Sequence, residues 1–362
     1  MPLDEVPAES QANVEACVRR AVELGINHFE TARGYGSSER QLGGVLPKLP
    51  RDQIIVQTKF APAANVDDFV ANVRDSIRRL QVDYLDLLTL HGINNAEVGE
   101  WTMRPNGCLA AARQLQREGL IRHVGFSTHG PLDVIQQTAR HEGDGGFDYI
   151  NCHWYFVFQH NWPSIEEAAK RDMGVFIISP SDKGGKLYEP SGRFVELCQP
   201  LHPIVFNDLF GLTRPAPERA LAHTLRVGAA RPSDFDLHVE AAGLLDRADE
   251  LLGPIIERLD RVMRQAVDED LLDPFRLPVP DWEHTPGHIN IPIALWLRNL
   301  AIAYDMVEFG KMRYNLLGGG GHWFPGQQAS KLGDEVTDAQ IRAAIDDPDL
   351  AQRMPDLLRQ TH

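Results

Sequence analysis

Four polar residues close successive apolar runs. Glu30 follows Ile26-Asn27-His28-Phe29, and Tyr35 lies in the turn Thr31-Ala32-Arg33-Gly34-Tyr35-Gly36. Lys59 follows Ile54-Ile55-Val56-Gln57-Thr58, and His91 follows Tyr84-Leu85-Asp86-Leu87-Leu88-Thr89-Leu90. A carboxylate, a phenol, an ammonium and an imidazole that meet make a proton-transfer site. Reducing a carbonyl needs a hydride on carbon and a proton on the developing alkoxide. Tyrosine can deliver that proton, but its reference pKa is about 10, so it needs help. An ammonium such as Lys59 favours the tyrosinate left behind, and a carboxylate such as Glu30 keeps the lysine charged and oriented. An imidazole such as His91 can hold the substrate oxygen. Singly, each has a plainer reading: a solvated carboxylate, a packed aromatic, a surface charge, a satisfied histidine. At consecutive strand ends they read as catalysis, because a parallel α/β barrel assembles its chemistry at the C-terminal ends of its strands.

The elements that must position these residues follow from apolar periodicity. Residues 10–24 place Val14, Cys17, Val18, Ala21 and Leu24 on one helical face, closed by Gly25. A second helix carries Val66, Phe69, Val70, Val73, Ile77 and Leu80, with Asn65 as its N-cap. Short apolar strands are expected at 26–30, 54–58, 84–90, 123–127, 149–154, 174–179 and 222–227. Helical patterns at 38–46, 66–80, 107–118, 131–142, 162–173 and 204–211 separate them. Strict βαβα alternation with short apolar strands means a parallel sheet wrapped by helices. Seven strands are legible rather than eight, and the chain opens on a helix where a barrel opens on a strand. A missing strand leaves two unpaired edges.

From about 239 the alternation stops. Helices are expected at 239–252 and 254–267, split by Gly253-Pro254, then a proline-rich stretch, an apolar helix near 293–310, a loop around Gly318-Gly319-Gly320-Gly321, and helices near 336–346 and 348–359. This divides the chain into a barrel, residues 1–239, and an α-helical extension, residues 240–362.

Composition narrows the functional class. The chain has 362 residues, 43% apolar and 24% charged, as in an ordinary globular protein with a large core. A net charge of −15 argues against a nucleic-acid partner, which needs clustered Lys and Arg. Cys17, Cys108, Cys152 and Cys198 lack the spacing of a disulfide framework, zinc site or iron–sulfur cluster, which suits a reducing cytoplasm. No apolar stretch reaches the length of a membrane span, and the N-terminus carries no signal-peptide pattern. A soluble cytoplasmic protein without membrane contact is expected.

The stretch Phe29-Glu30-Thr31-Ala32-Arg33-Gly34-Tyr35-Gly36-Ser37-Ser38-Glu39-Arg40-Gln41-Leu42-Gly43 resembles the signature of the aldo-keto reductases. Thr58-Lys59-Phe60, Leu80-Gln81-Val82-Asp83-Tyr84-Leu85-Asp86, Leu90-His91 and Gly119-Leu120-Ile121-Arg122-His123-Val124-Gly125-Phe126-Ser127 match later blocks in order, over roughly residues 12–240. The resemblance implies a (β/α)8 TIM-type barrel, here lacking its first strand, with NADP as cofactor and a tetrad of Glu30, Tyr35, Lys59 and His91. It also implies nicotinamide contacts at Ser127, Asn151 and Ser179. Glu30 stands where the family usually has Asp, so an extra methylene must be absorbed. Thr128, Asn151 and Ser179 stand where Asn, Gln and an aromatic are common.

The cofactor's phosphates need backbone N–H groups and positive charge. Lys183-Gly184-Gly185 can cradle a pyrophosphate, and in Gly228-Ala229-Ala230-Arg231 the arginine suits a 2′-phosphate. Glycine pairs are more often plain turns, but these two lie at the last two strand ends, the phosphate corner of such barrels. The tail resembles a ferredoxin-like extension of one family branch through Pro286-Gly287-His288-Ile289-Asn290-Ile291-Pro292, without cysteines for clusters.

The function expected is NADPH-dependent reduction of a small aldehyde or ketone to an alcohol, with the proton from Tyr35. Specificity is expected in the loop 92–106, which carries Trp101 and Met103. The alternative is an NADP-binding barrel without turnover, serving regulation or interaction, which the Glu30 change and the altered nicotinamide contacts favour. A metal-dependent barrel hydrolase lacks the required His-x-His.

Overall fold

The computed structural model describes residues 6–214, 221–319 and 325–361. The chain forms two compact units, one of residues 1–180 with 207–245, the other of residues 181–206 with 246–362.

The first unit holds seven parallel strands: β1 (His28–Glu30), β2 (Ile55–Phe60), β3 (Leu85–His91), β4 (Ile121–Ser127), β5 (Tyr149–Cys152), β6 (Gly174–Ile178) and β7 (Thr224–Arg226). They pair in sequence order, and among the described residues no backbone ladder joins β7 to β1. Side chains nevertheless meet across the sheet. Asn151 of β5 donates to Glu30 of β1 at 3.1 Å, and Arg226 of β7 lies 3.5 Å from the same carboxylate. In a flat sheet β1 and β7 would stand about 29 Å apart, six strand spacings of about 4.8 Å. The sheet therefore curls into a nearly closed (β/α)-type barrel.

The helices are positioned by their apolar faces. In the helix Val66–Leu80, Phe69, Val73, Ile77 and Leu80 are buried, and Asn65 caps it by accepting from the Asp67 N–H. β3 is buried along nearly all its length, as a strand covered on both faces must be. At the N-terminal ends of the strands two aspartates bind the layers together. Asp86 accepts from the Val56 N–H, from Arg51 and from Arg122. Asp148 accepts from the Val124 N–H at 2.7 Å and from both terminal nitrogens of Arg113 at 2.9 Å.

Inside the barrel, strand alternation lines up a polar layer. Gln57 donates to Thr89 at 2.6 Å, and Thr89 bonds the Tyr149 phenol at 2.8 Å. The Tyr149 ring lies over Gly125, where a Cβ would meet it at 2.4 Å, so only glycine fits at that point of β4.

The second unit is helical. The break expected at Gly253-Pro254 is absent: one helix runs Ala248–Ala266 through Pro254, preceded by a separate helix Asp236–Gly243 in the first unit. Pro254 is the seventh residue of this helix, in its second turn, where its missing N–H forfeits one backbone bond. Burial of Leu252, Ile255 and Leu259 on one face outweighs it. The apolar helix expected near 293–310 is two, Ile291–Tyr304 and Val307–Tyr314, parted at Asp305 in the left-handed conformation. Of the expected glycine loop, residues 320–324 lie outside the described residues.

Removing the Asp148 carboxylate leaves the Arg113 guanidinium, which is largely buried, without its anion. Asp148→Ala is expected to cost about 2–3 kcal/mol in urea unfolding. A loss below about 1 kcal/mol, that of a solvated surface pair, would contradict the buried role.

Candidate active site

The turn after β1 is fixed by backbone bonds that prolong the sheet. The Thr31 N–H donates to Gln57 O and the Arg33 N–H to Lys59 O, both at 2.9 Å. The Tyr35 N–H then donates to Ala32 O, and Gly36 adopts a positive φ of 58° that turns the chain into the helix Ser38–Gly43. Glu39, on that helix, is buried and accepts from the Thr58 hydroxyl at 2.7 Å, while Arg33 pairs with Asp75 at 2.6 Å. Tyr35 is thus held over the ends of β1 and β2 with half its surface in solvent, 50%.

The four residues expected to act together do meet. The Lys59 ammonium, 2% exposed, lies 2.6 Å from Glu30 Oε1 and donates to the Tyr35 phenol oxygen at 3.3 Å. Its third direction is taken by the Thr31 carbonyl at 3.4 Å. The His91 ring stands edge-on to Tyr35, with centroids 5.7 Å apart. The extra methylene of Glu30 is absorbed without displacing Lys59. Its other oxygen, Oε2, accepts from Asn151 and faces Arg226. Burial pushes the Glu30 carboxyl upward, but Lys59 and Arg226 beside it prevail and hold it below the usual carboxylate range.

Sequence reading missed Arg226, His28 and Gln57. Arg226 Nη1 pairs with His28 Nε2 and Nη2 donates to Gln57 Oε1, each at 2.5 Å, and the guanidinium lies 4.5 Å from the centre of the Phe176 ring. His28 is pushed down to about 3 by burial and by the adjacent Arg226, so its imidazole is neutral and accepts. A signal was present. His28 and Gln57 stand two residues before Glu30 and Lys59, and alternation puts each pair on one face.

The expected cofactor residues divide between the units. Ser127, at the end of β4, accepts from the Gly92 N–H at 3.1 Å. Asn151 is fully buried, and its Oδ1 has no hydrogen-bond partner among the described residues. Ser179, just after β6, takes a positive φ of 52°. The Thr128 hydroxyl donates to Ile93 O and accepts from the Gly130 N–H. Gly228 has open space where a Cβ would stand, and Arg231 is ion-paired to Asp234 at 2.9 Å. The Asp234 carboxylate also accepts from the Ala230 and Arg231 N–H groups, the position an anion takes at such a turn. Lys183, Gly184 and Gly185 belong to the second unit. There a Cβ on Gly185 would meet Met306 at 2.4 Å, so close packing accounts for that glycine. Burial, with Arg313 nearby, lowers the Lys183 ammonium to about 8.

Comparison with known proteins bears on the family of the chain. Residues 4–184 match the model of the Aldo/keto reductase family. The L-galactose dehydrogenase of Arabidopsis thaliana is 36% identical over 180 residues, 47% of this chain and 55% of that protein. An aldo-keto reductase of Mycolicibacterium smegmatis is 30% identical over 254 residues, 67% of this chain and 81% of that protein. The chain therefore spans about half of the first relative and most of the second. Among solved structures, the holo form of an aldo-keto reductase from Bacillus halodurans gives a TM-score of 0.55 at 21% identity, covering 67% of this chain and 87% of that one. Likeness at that identity speaks for the fold. Matched by the family model over residues 4–184 and by a relative of which it spans 81%, the chain belongs to the aldo/keto reductase family.

Proposed function

We propose that the protein is an NADPH-dependent oxidoreductase that reduces a small aldehyde or ketone to an alcohol. The observation that carries this reading is the Lys59 ammonium, 2.6 Å from Glu30 and 3.3 Å from the Tyr35 phenol, with that phenol open to solvent. When bound, a nicotinamide cofactor would supply the hydride for the carbonyl carbon. As the C=O π pair moves onto oxygen, Tyr35 gives that oxygen its proton and becomes a tyrosinate facing Lys59. His91 steadies the substrate oxygen through its imidazole. The exposed edge of Tyr35 lets solvent restore the proton afterwards. Glu30 holds Lys59 charged through the cycle.

The residues present suit a nicotinamide. The buried, unpartnered Oδ1 of Asn151 offers an acceptor to an amide N–H, and Ser127 ends the neighbouring strand. Gly228 leaves backbone room near Arg231, the group suited to a 2′-phosphate, provided that Arg231 turns from Asp234. Among the described residues no helix is long and apolar enough to cross a membrane. The four cysteines are free thiols, which supports the cytoplasmic location proposed. Trp101 and Met103, on the helix Ala96–Met103, are proposed to shape substrate choice.

One observation favours a second reading, an NADP-binding barrel without turnover: Asn151 Nδ2 is already committed to Glu30. Fluorescence titration with NADPH, followed by turnover of 4-nitrobenzaldehyde and a panel of aldehydes and ketones, separates the two. Binding without NADPH oxidation across the panel sinks the enzyme reading. With turnover in hand, Tyr35→Phe is expected to lower kcat by roughly 10²–10⁴-fold and leave the NADPH Kd nearly unchanged. Full activity in that variant would place the proton source elsewhere. Arg231→Ala is expected to weaken NADPH binding about tenfold, roughly 1.4 kcal/mol, while sparing NADH. Equal losses for both cofactors would remove Arg231 from the 2′-phosphate.

A further inference from the structure

Arg226 is a charged side chain inside the barrel wall, and the chemistry described so far leaves it without a task. Its surroundings are unusual in their charge balance. Glu30 presents one carboxylate to two cations, Oε1 to Lys59 at 2.6 Å and Oε2 to Arg226 Nε at 3.5 Å. The other partners of the guanidinium are neutral: the His28 imidazole, the Gln57 amide and the Phe176 ring. Tyr149, also within reach of its field, is a buried phenol bonded to Thr89 and pushed upward by burial, hence neutral. Asn151 adds a neutral donor to Glu30. On the turn that carries Tyr35, Arg33 faces Glu39 and Asp75, Asp75 also meets Arg78 and Arg79, and just before β5 Asp148 is paired with Arg113. His91 is the remaining titratable group against the Tyr35 ring. The interior cluster therefore holds one anion and two cations, and the cations are almost shut off from water, Arg226 at 9% and Lys59 at 2% exposure. Little solvent is present to screen the surplus charge.

We infer that Arg226 is a positioning residue for Tyr35: by sharing the Glu30 carboxylate with Lys59 it leaves one buried positive charge in excess, which favours loss of the Tyr35 proton. The inference rests on the reading of Tyr35 as proton donor. The competing role is mechanical. Arg226 spans from β7 to β1 and β2, an edge where no backbone ladder forms among the described residues, and it would serve there as a staple whatever its charge did.

The two roles part on the titration of Tyr35, which needs no substrate. The full chain labelled with ¹³C at tyrosine Cζ is titrated by NMR, with Tyr35→Phe identifying the signal and circular dichroism checking the fold of each variant. Arg226→Gln is expected to raise the Tyr35 midpoint by roughly half to one pH unit, since a nearby cation is gone. Arg226→Lys, which keeps the charge but loses the forked grip on His28 and Gln57, is expected to hold the wild-type midpoint. Arg226→Met is the second neutral variant, used where the glutamine form does not fold, and is expected to shift as Gln does. Unchanged midpoints in the neutral variants overturn the inference, as does a Lys variant that shifts as far as Gln. Turnover of 4-nitrobenzaldehyde keeps the two readings apart. A Tyr35 shift in the neutral variants, with a wild type that oxidises no NADPH, upholds the charge role and sinks the reductase. Turnover without a shift does the reverse.

Discussion

The Glu30 carboxylate, held between two cations at the mouth of the barrel, is the interaction on which this architecture turns. An ammonium or a guanidinium taken from water without an anion costs several kcal/mol. Lys59 and Arg226 can be buried only because Glu30 reaches both. That reach requires the sheet to curl, since β1 and β7 are the two ends of the strand order. Curling and charge pairing are thus conditions of one another. A flatter sheet would strand the cations, and an unpaired cation would resist the curl.

The same dependence continues inward. The interior of a (β/α) barrel is usually filled by layers of branched apolar side chains. Here one layer is polar, running from His28 and Arg226 through Gln57 and Thr89 to Tyr149. A buried polar layer stabilises only when its members are satisfied, and a half-satisfied one is worse than an apolar core. Gly125 makes the layer possible by letting the Tyr149 ring lie against β4. Among the described residues, two buried atoms around Glu30 are left without a hydrogen bond, Arg226 Nε and Asn151 Oδ1, the second on the side chain whose Nδ2 donates to Glu30.

Much of this was legible in the amino-acid sequence, for reasons that differ by element. Strand positions could be read because β2 to β6 are apolar runs bounded by turn residues, and the expected spans agree with the structure to within two or three residues. Asn65 could be read as a cap because its side chain has one good use before an amphipathic run. Glu30, Tyr35, Lys59 and His91 could be read because strand ends place them together whatever the exact register. The helix through Pro254 could not, because proline's local penalty is overruled by an apolar face whose burial is a tertiary fact. Arg226 could not either. It lies on a strand of only three residues, Thr224–Arg226, too short for alternation to announce which way it points.

The carboxylate's length ties the readable part to the unreadable one. The family usually places Asp where Glu30 stands, and the added methylene looks at first like a disturbance of the lysine pair. The geometry shows that pair intact at 2.6 Å, with the extra reach delivering Oε2 to Asn151 and Arg226. A carboxylate one methylene shorter, keeping Lys59, would leave Arg226 with His28, Gln57 and Phe176, all neutral, as company for a buried charge. Glu30 and Arg226 therefore make sense only together. The longer acid is the condition for a second cation in the barrel, and the second cation gives the longer acid a use.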